Sequence, residues 1–183
     1  RRVRYGVKLA LAVLALMWFV PMGLIVGAFS MDFYSETTDI AHYRQVDDLF
    51  YWNETEKELF PEQTGKEGRY YYYCSYDRCQ SLYAEWVLPQ DEQSAEVARV
   101  TDLLSEVEGY HQFQHGSYVC QAVAGDSYSP EVPFQQKTGR HSVTFFAYEP
   151  QTGVVRYIVC DEYADADDPP YYMTLDWGEE VAS

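Results

Sequence analysis

SVTFFAYEPQTGVVRYIVC (Ser142–Cys160) decides the fold. Two runs of β-branched and aromatic residues, Ser142–Glu149 and Val154–Cys160, flank Pro150-Gln151-Thr152-Gly153. Proline early and glycine late in a four-residue link match a tight turn with a positive φ at Gly153. The stretch therefore predicts a hairpin, and a hairpin predicts an antiparallel sheet.

Upstream, RYYYYCSY (Arg69–Tyr76) and SLYAEWVL (Ser81–Leu88) are two further strand-forming runs around a polar loop. In the second, Leu82, Ala84, Trp86 and Leu88 alternate with Tyr83, Glu85 and Val87, which places the first set together on one face, toward the core. Pro89-Gln90-Asp91 then opens a helix ending near Glu108, with Asp91 as the expected cap and Gly109 as the stop. Val97, Val100, Leu103, Leu104 and Val107 recur at three and four, an apolar stripe suited to covering the sheet. Ser117–Ala124 is another strand, and residues 125–139 read as a long loop. Ahead of these, His42–Val46 is a candidate short strand, and Asp47–Phe60 a short helix or irregular segment that Pro61 ends. Asn53-Glu54-Thr55 has the form of a glycosylation sequon. The expected class is α+β, an antiparallel sheet with one amphipathic helix packed on it.

The domain hangs from Leu9–Met31, 23 residues without a charge, preceded by Arg1, Arg2, Arg4 and Lys8. At about 1.5 Å per residue such a helix reaches ~34 Å, enough to cross a bilayer. The basic lead-in places the N-terminus in the cytoplasm and the remainder outside. A cleaved signal peptide, with Val26-Gly27-Ala28 as its cleavage pattern, is the rival reading; the apolar run beyond Pro21 favours the anchor. The chain opens on Arg1 rather than Met, so a few further residues are expected upstream. The organisation expected is a basic segment (1–8), a transmembrane helix (9–31), a linker with a possible first strand (32–46), an exported domain (47–165) and an acidic, aromatic tail (166–183).

The formal net charge is −16. Of 13 basic residues four precede the apolar run, leaving 9 against 29 acidic ones, a balance of −20 on the exported part. Such a surface repels nucleic acid, which is excluded as a partner. Eighteen tyrosines among 17% aromatic residues argue against disorder and for a sheet.

Tyr70, Tyr71, Tyr72 and Tyr73 are consecutive, and strand neighbours face opposite ways, so some rings are expected on an exposed stripe able to stack on sugars or dock a protein. Cys74, Cys79, Cys120 and Cys160 lie on the exported side, where disulfides persist. Cys74 with Cys79 across a hairpin loop, and Cys120 with Cys160 across the sheet, is one of three pairings. His111 and His115 have a helical ligand spacing but lack the glutamate of HExxH and a nameable third ligand. Asp161, Glu162, Asp165, Asp167 and Asp168 cluster without the alternation and glycine of an EF-hand loop. Glu85 and Glu149 are candidate carboxylates for a glycosidase pair. No nucleophile motif, phosphate loop or dinucleotide fingerprint is present, and no cofactor is implied.

LFPE (Leu59–Glu62), the Tyr-rich strand after it and SLYAEWVLPQDEQSAEVARV (Ser81–Val100) resemble small membrane-anchored proteins of unknown function from Clostridia-type gut bacteria. The likeness spans residues 1–165 and implies a bacterial cell envelope; it carries no catalytic residues. The function expected is that of a membrane-anchored, extracytoplasmic, non-enzymatic interaction domain. The alternatives are a cell-wall or carbohydrate-binding module using the tyrosines, and a hydrolase.

Overall fold

The structure is a computed structural model and describes residues 20, 35–38, 43, 53–61, 68–74, 80–124, 134, 138–165 and 167–178. The chain divides into two units, Arg1–Phe33 and Tyr34–Ser183. In the first, Val20 is helical and exposed. The rest of the predicted span, 9–31, lies outside the described residues, among which no helix is long and apolar enough to cross a membrane.

The second unit is α+β. Its elements are β1 (Ser35–Thr37), α1 (Glu54–Leu59), β2 (Gly68–Cys74), β3 (Gln80–Val87), α2 (Gln90–Ser105), β4 (Tyr110–His115), β5 (Tyr118–Ala124), β6 (Gly139–Tyr148), β7 (Val154–Ala164) and a 3-10 turn, Tyr171–Thr174. The strands form one antiparallel sheet in the order β1-β2-β3-β7-β6-β5-β4. β1 falls in the stretch read as a linker, and β4 in the stretch read as two polar histidines. Of the candidate strand at His42–Val46 only Tyr43 is described, and it lies in a 3-10 turn.

The hairpin forms as the sequence dictates. Gly153 has φ 79° and donates its amide to Glu149 O at 3.2 Å, while Glu149 N bonds Val154 O at 2.9 Å. The turn then docks on the start of α2. Leu88 N donates to Gly153 O at 2.9 Å, and the buried Gln93 amide reaches Glu149 O at 3.0 Å and Val154 O at 3.3 Å. Gly153 O, which the hairpin's own bonds leave over, is here satisfied by protein, and Glu149 O and Val154 O each gain a second donor.

α2 begins two residues earlier than an Asp91 cap would place it and ends at Ser105, with Glu106 at its C-cap, short of the expected Glu108. Pro89 occupies the N-cap with no side-chain bond, so Asp91 is not the cap but one of two acids in the first turn. There it suits the positive end of the helix dipole. Val100 and Leu104 are fully buried, and Val97 and Leu103 pack beside them, so the stripe covers its own sheet. α1 carries the designed-looking start that α2 lacks: Asn53 Oδ1 accepts from Glu56 N at 2.8 Å and Glu56 Oε2 from Asn53 N at 2.9 Å, a capping box. Arg99 of α2 closes its other end, donating to the carbonyls of Glu58 and Leu59 at 2.8 Å each. The asparagine of the sequon thus caps a helix.

Both faces of the sheet are covered. On the helix face lie Tyr70, Tyr72, Leu82, Ala84, Trp86, Phe146, Val155, Tyr157 and Val159. On the other lie Tyr83, Tyr118, Cys120, Ala122, Val143, Phe145, Ala147, Ile158 and Cys160. What covers this second face is the segment 167–178, where Tyr172 and Trp177 are buried and Tyr171, Met173 and Leu175 half-buried. The segment expected as a tail therefore covers the second face of the sheet and adds Tyr172 and Trp177 to its core; it is here termed the strap.

A Cβ on Gly153 would stand 2.2 Å from Leu88 O, and its φ is one that L side chains avoid. Gly153→Ala is expected to cost at least about 2 kcal/mol in urea denaturation, left-handed strain and the displaced α2 contact acting together.

Candidate functional site

The sequence-predicted site residues do not converge. Tyr70 and Tyr72 are 2% and 7% exposed beneath the helices, where Tyr70 meets Tyr43 edge-on at 5.9 Å. Tyr71, on the opposite face, stacks flat on Tyr171 of the strap at 3.9 Å, and Tyr73 is half-buried. The exposed stripe expected of some of these rings does not form: alternation sends them to two faces, with Tyr70 and Tyr72 buried and Tyr71 and Tyr73 half-buried.

His111 and His115 stand on a strand rather than a helix. Four residues then separate them by roughly 13 Å, too far to share an ion. His111 stacks on Phe113, and His115 on Phe134 at 3.6 Å. Among the described residues no three His, Cys, Asp or Glu side chains are grouped to hold a metal. The acidic cluster is split by the strand it lies on. Asp161 takes a two-point bond from Arg140 at 2.7 Å, Glu162 accepts from Ser81 Oγ at 2.8 Å on the other face, and Asp165 Oδ1 accepts from the amides of Asp167 and Asp168.

Cys74, Cys120 and Cys160 are thiols, and Cys79 lies outside the described residues. The expected Cys120–Cys160 bridge is excluded by register. Cys120 opposes Ala147 of β6 and Cys160 opposes Val143, so they are four residues apart along a strand that also lies between them. That offset alone is roughly 13 Å, beyond the ~7 Å limit on Cα separation for a disulfide. Burial pushes the Cys120 thiol up to about 12.

The residue around which the second face is built is Arg156, in the middle of β7 and 5% exposed. Its Nε donates to Glu85 Oε2 at 2.8 Å, and the same oxygen accepts from Tyr83 OH at 2.7 Å. Its Nη1 donates to Asp176 O of the strap at 2.7 Å. The guanidinium lies 4.3 Å from the Tyr118 ring centre and 4.7 Å from that of Trp177. Trp177, 4% exposed, donates its indole N–H to Tyr172 O at 2.9 Å and accepts at its carbonyl from Ser117 N at 3.0 Å. A cation with a carboxylate, a carbonyl and two ring faces around it satisfies the conditions under which a buried charge is tolerated.

Beside this assembly the strap leaves an open cleft of about 290 Å³ lined by His115, Phe134, Met173, Leu175, Asp176 and Trp177. Phe134 meets Trp177 edge-on at 5.0 Å and Phe145 at 5.9 Å, so the wall is fixed by aromatic contacts worth about 0.5–1.5 kcal/mol each. The exposed carboxylate is Asp176, whose Oδ1 accepts from Gly178 N at 2.9 Å. At the neighbouring turn Glu149 accepts from Ser117 Oγ at 2.5 Å and from Thr152 Oγ1, and these bonds hold its carboxyl below the usual range.

A second polar group lies beneath the strap. His141 Nδ1 meets Tyr172 OH at 2.8 Å, and His141 faces Glu162 directly across the β6–β7 ladder. Cys160 Sγ donates to Glu162 Oε1 at 3.4 Å. Burial raises the Glu162 carboxyl, and burial together with the Glu162 charge raises the Cys160 thiol well above its ordinary value. These residues knit the strap to the sheet, with the Cys160 thiol held protonated and covered.

Comparisons with protein-family models, curated proteins and solved structures match none of them to this chain. The geometry alone bears on function. Arg156, Asp176 and Trp177 escaped the sequence reading, although a lone arginine inside the apolar run VVRYIV was a signal for a buried cation.

Two outcomes follow from the chemistry. Removing one partner of a buried pair strands the other, so Arg156→Leu is expected to cost about 3–5 kcal/mol in urea denaturation, with Glu85→Gln added recovering part of it. Burial lowers the His141 pKa, so its contribution is complete above the unfolded value of about 6.5 and is lost as pH falls below that value. Glu162, raised by burial, acts oppositely, its penalty easing as pH falls. His141→Gln is therefore expected to flatten the acid-side decline in urea midpoint between about pH 7.5 and pH 5.5 relative to wild type.

Proposed function

We propose that the chain is a membrane-tethered interaction domain: residues 9–31 anchor it, the α+β unit is displayed outside the cytoplasm, and the strap-walled cleft is where it binds. The cleft carries this reading, a concave site where Met173, Leu175 and Phe134 stand beside a mostly polar lining that includes one carboxylate. Its residues come from three separate parts of the chain, so only the folded domain assembles it.

Binding is favoured over catalysis by where the reactive groups are. The Cys120 and Cys160 thiols and the His141 imidazole are buried, and Glu85 and Glu149 are committed to Arg156 and to two hydroxyls. A glycan platform built from Tyr70–Tyr73 loses its support, because two of those rings are beneath the helices and a third is covered by Tyr171. The basic residues before the apolar run and the envelope resemblance support the tether.

The test places a photo-crosslinking residue at Met173 of the full chain in its native membranes, with Asp102 on the exposed side of α2 as control. A discrete adduct from position 173 and none from 102 is expected. Equal labelling at both positions, or none at 173, would overturn the cleft as the binding site.

A further inference from the structure

We infer that the cleft takes the cationic side chain, Arg or Lys, of a basic polypeptide segment; this rests on the cleft being the binding site. Size is the first reason. At about 290 Å³ the cleft is at the small end of ligand-binding sites, which leaves room for a single long side chain.

Chemistry is the second. A long basic side chain has an apolar stem and a charged head. Met173, Leu175 and Phe134 offer the stem an apolar wall, while the exposed Asp176 carboxylate offers the head a charge partner. A neutral sugar would need several hydrogen-bonding side chains along the wall, and among the described residues the cleft supplies His115 and Asp176.

Charge is the third. Glu85, Glu149 and Asp176 all act electrostatically on Tyr118, against the single guanidinium of Arg156. Arg156 is matched by Glu85. Glu149 and Asp176 carry no ion pair among the described residues; with Arg69 also pairing with Glu85 at 3.5 Å, three carboxylates meet two guanidinium groups here and one negative charge is in excess. The whole chain, at −16, strengthens the same field and draws in basic partners while repelling acidic ones.

The test titrates the full-length protein in detergent micelles with tetra-arginine, by calorimetry, beside tetra-glutamate. Saturable one-to-one binding of tetra-arginine alone is expected. Asp176→Asn, which keeps the Gly178 acceptor, is expected to weaken it about tenfold, the scale of one charge contact, and Asp102→Asn on α2 to leave it unchanged. Equal weakening by both variants would mean diffuse surface attraction and would overturn the inference, as would absence of binding. The two readings separate in the crosslinking experiment. An adduct at position 173 that tetra-arginine does not displace keeps the cleft as a binding site and removes the cationic ligand.

Discussion

A single buried guanidinium organises one side of this domain. Arg156 sits in the central part of a seven-stranded sheet, where an uncompensated charge would cost several kcal/mol. The fold compensates it from three directions: Glu85 from the adjacent strand, Tyr118 from β5, and the Asp176 carbonyl with the Trp177 ring from the strap. The last two partners come from outside the sheet. The strap must therefore be seated for Arg156 to be satisfied, and the sheet must place Arg156 correctly for the strap to have an anchor.

The same dependence shapes the surface. Aromatic packing extends from Trp177 through Phe134 and Phe145 to Tyr172, and Tyr172 reaches the buried His141. The helix face is closed by a separate system, α1 and α2 joined through Arg99, Glu96 and Tyr157. Burial works against the Glu96 carboxylate there, but bonds from Arg99 and Tyr157 outweigh it and hold its pKa below the usual value. The two sides thus have different chemistry. One is a helix layer stitched to the sheet by an internal acid, and the other is an irregular segment held by a cation and stacked rings, with a cleft where the irregular backbone leaves space.

Much of the fold was legible because its signals were local. Gly153 needed a positive φ, Val100 and Leu104 needed a covered face, and the alternation in Ser81–Leu88 placed Leu82, Ala84 and Trp86 together. What escaped depended on contacts distant in sequence. β4 reads YHQFQH, with no β-branched residue, and its histidines suggested a helical spacing. The strap begins with acids and two prolines, which look like a solvated end until Tyr172 and Trp177 are seen filling the second face. The tyrosine run and the Cys120–Cys160 pair failed for one reason: strand membership was readable, but not what covers each face or how the strands are offset. The cleft was invisible for the same cause, since its residues meet only after the strap is laid down.

The most direct test of the strap as an integral cover of the core is hydrogen exchange at the Trp177 indole N–H, which donates to Tyr172 O inside the folded domain. If Arg156 and the stacked rings hold the strap in the cooperative unit, that proton should exchange only with global unfolding, at the free energy of the slowest β6 and β7 amides. Exchange at the rate of a surface tryptophan, with the sheet amides still protected, would show that the strap is not part of the core and that the cleft it walls does not persist in solution.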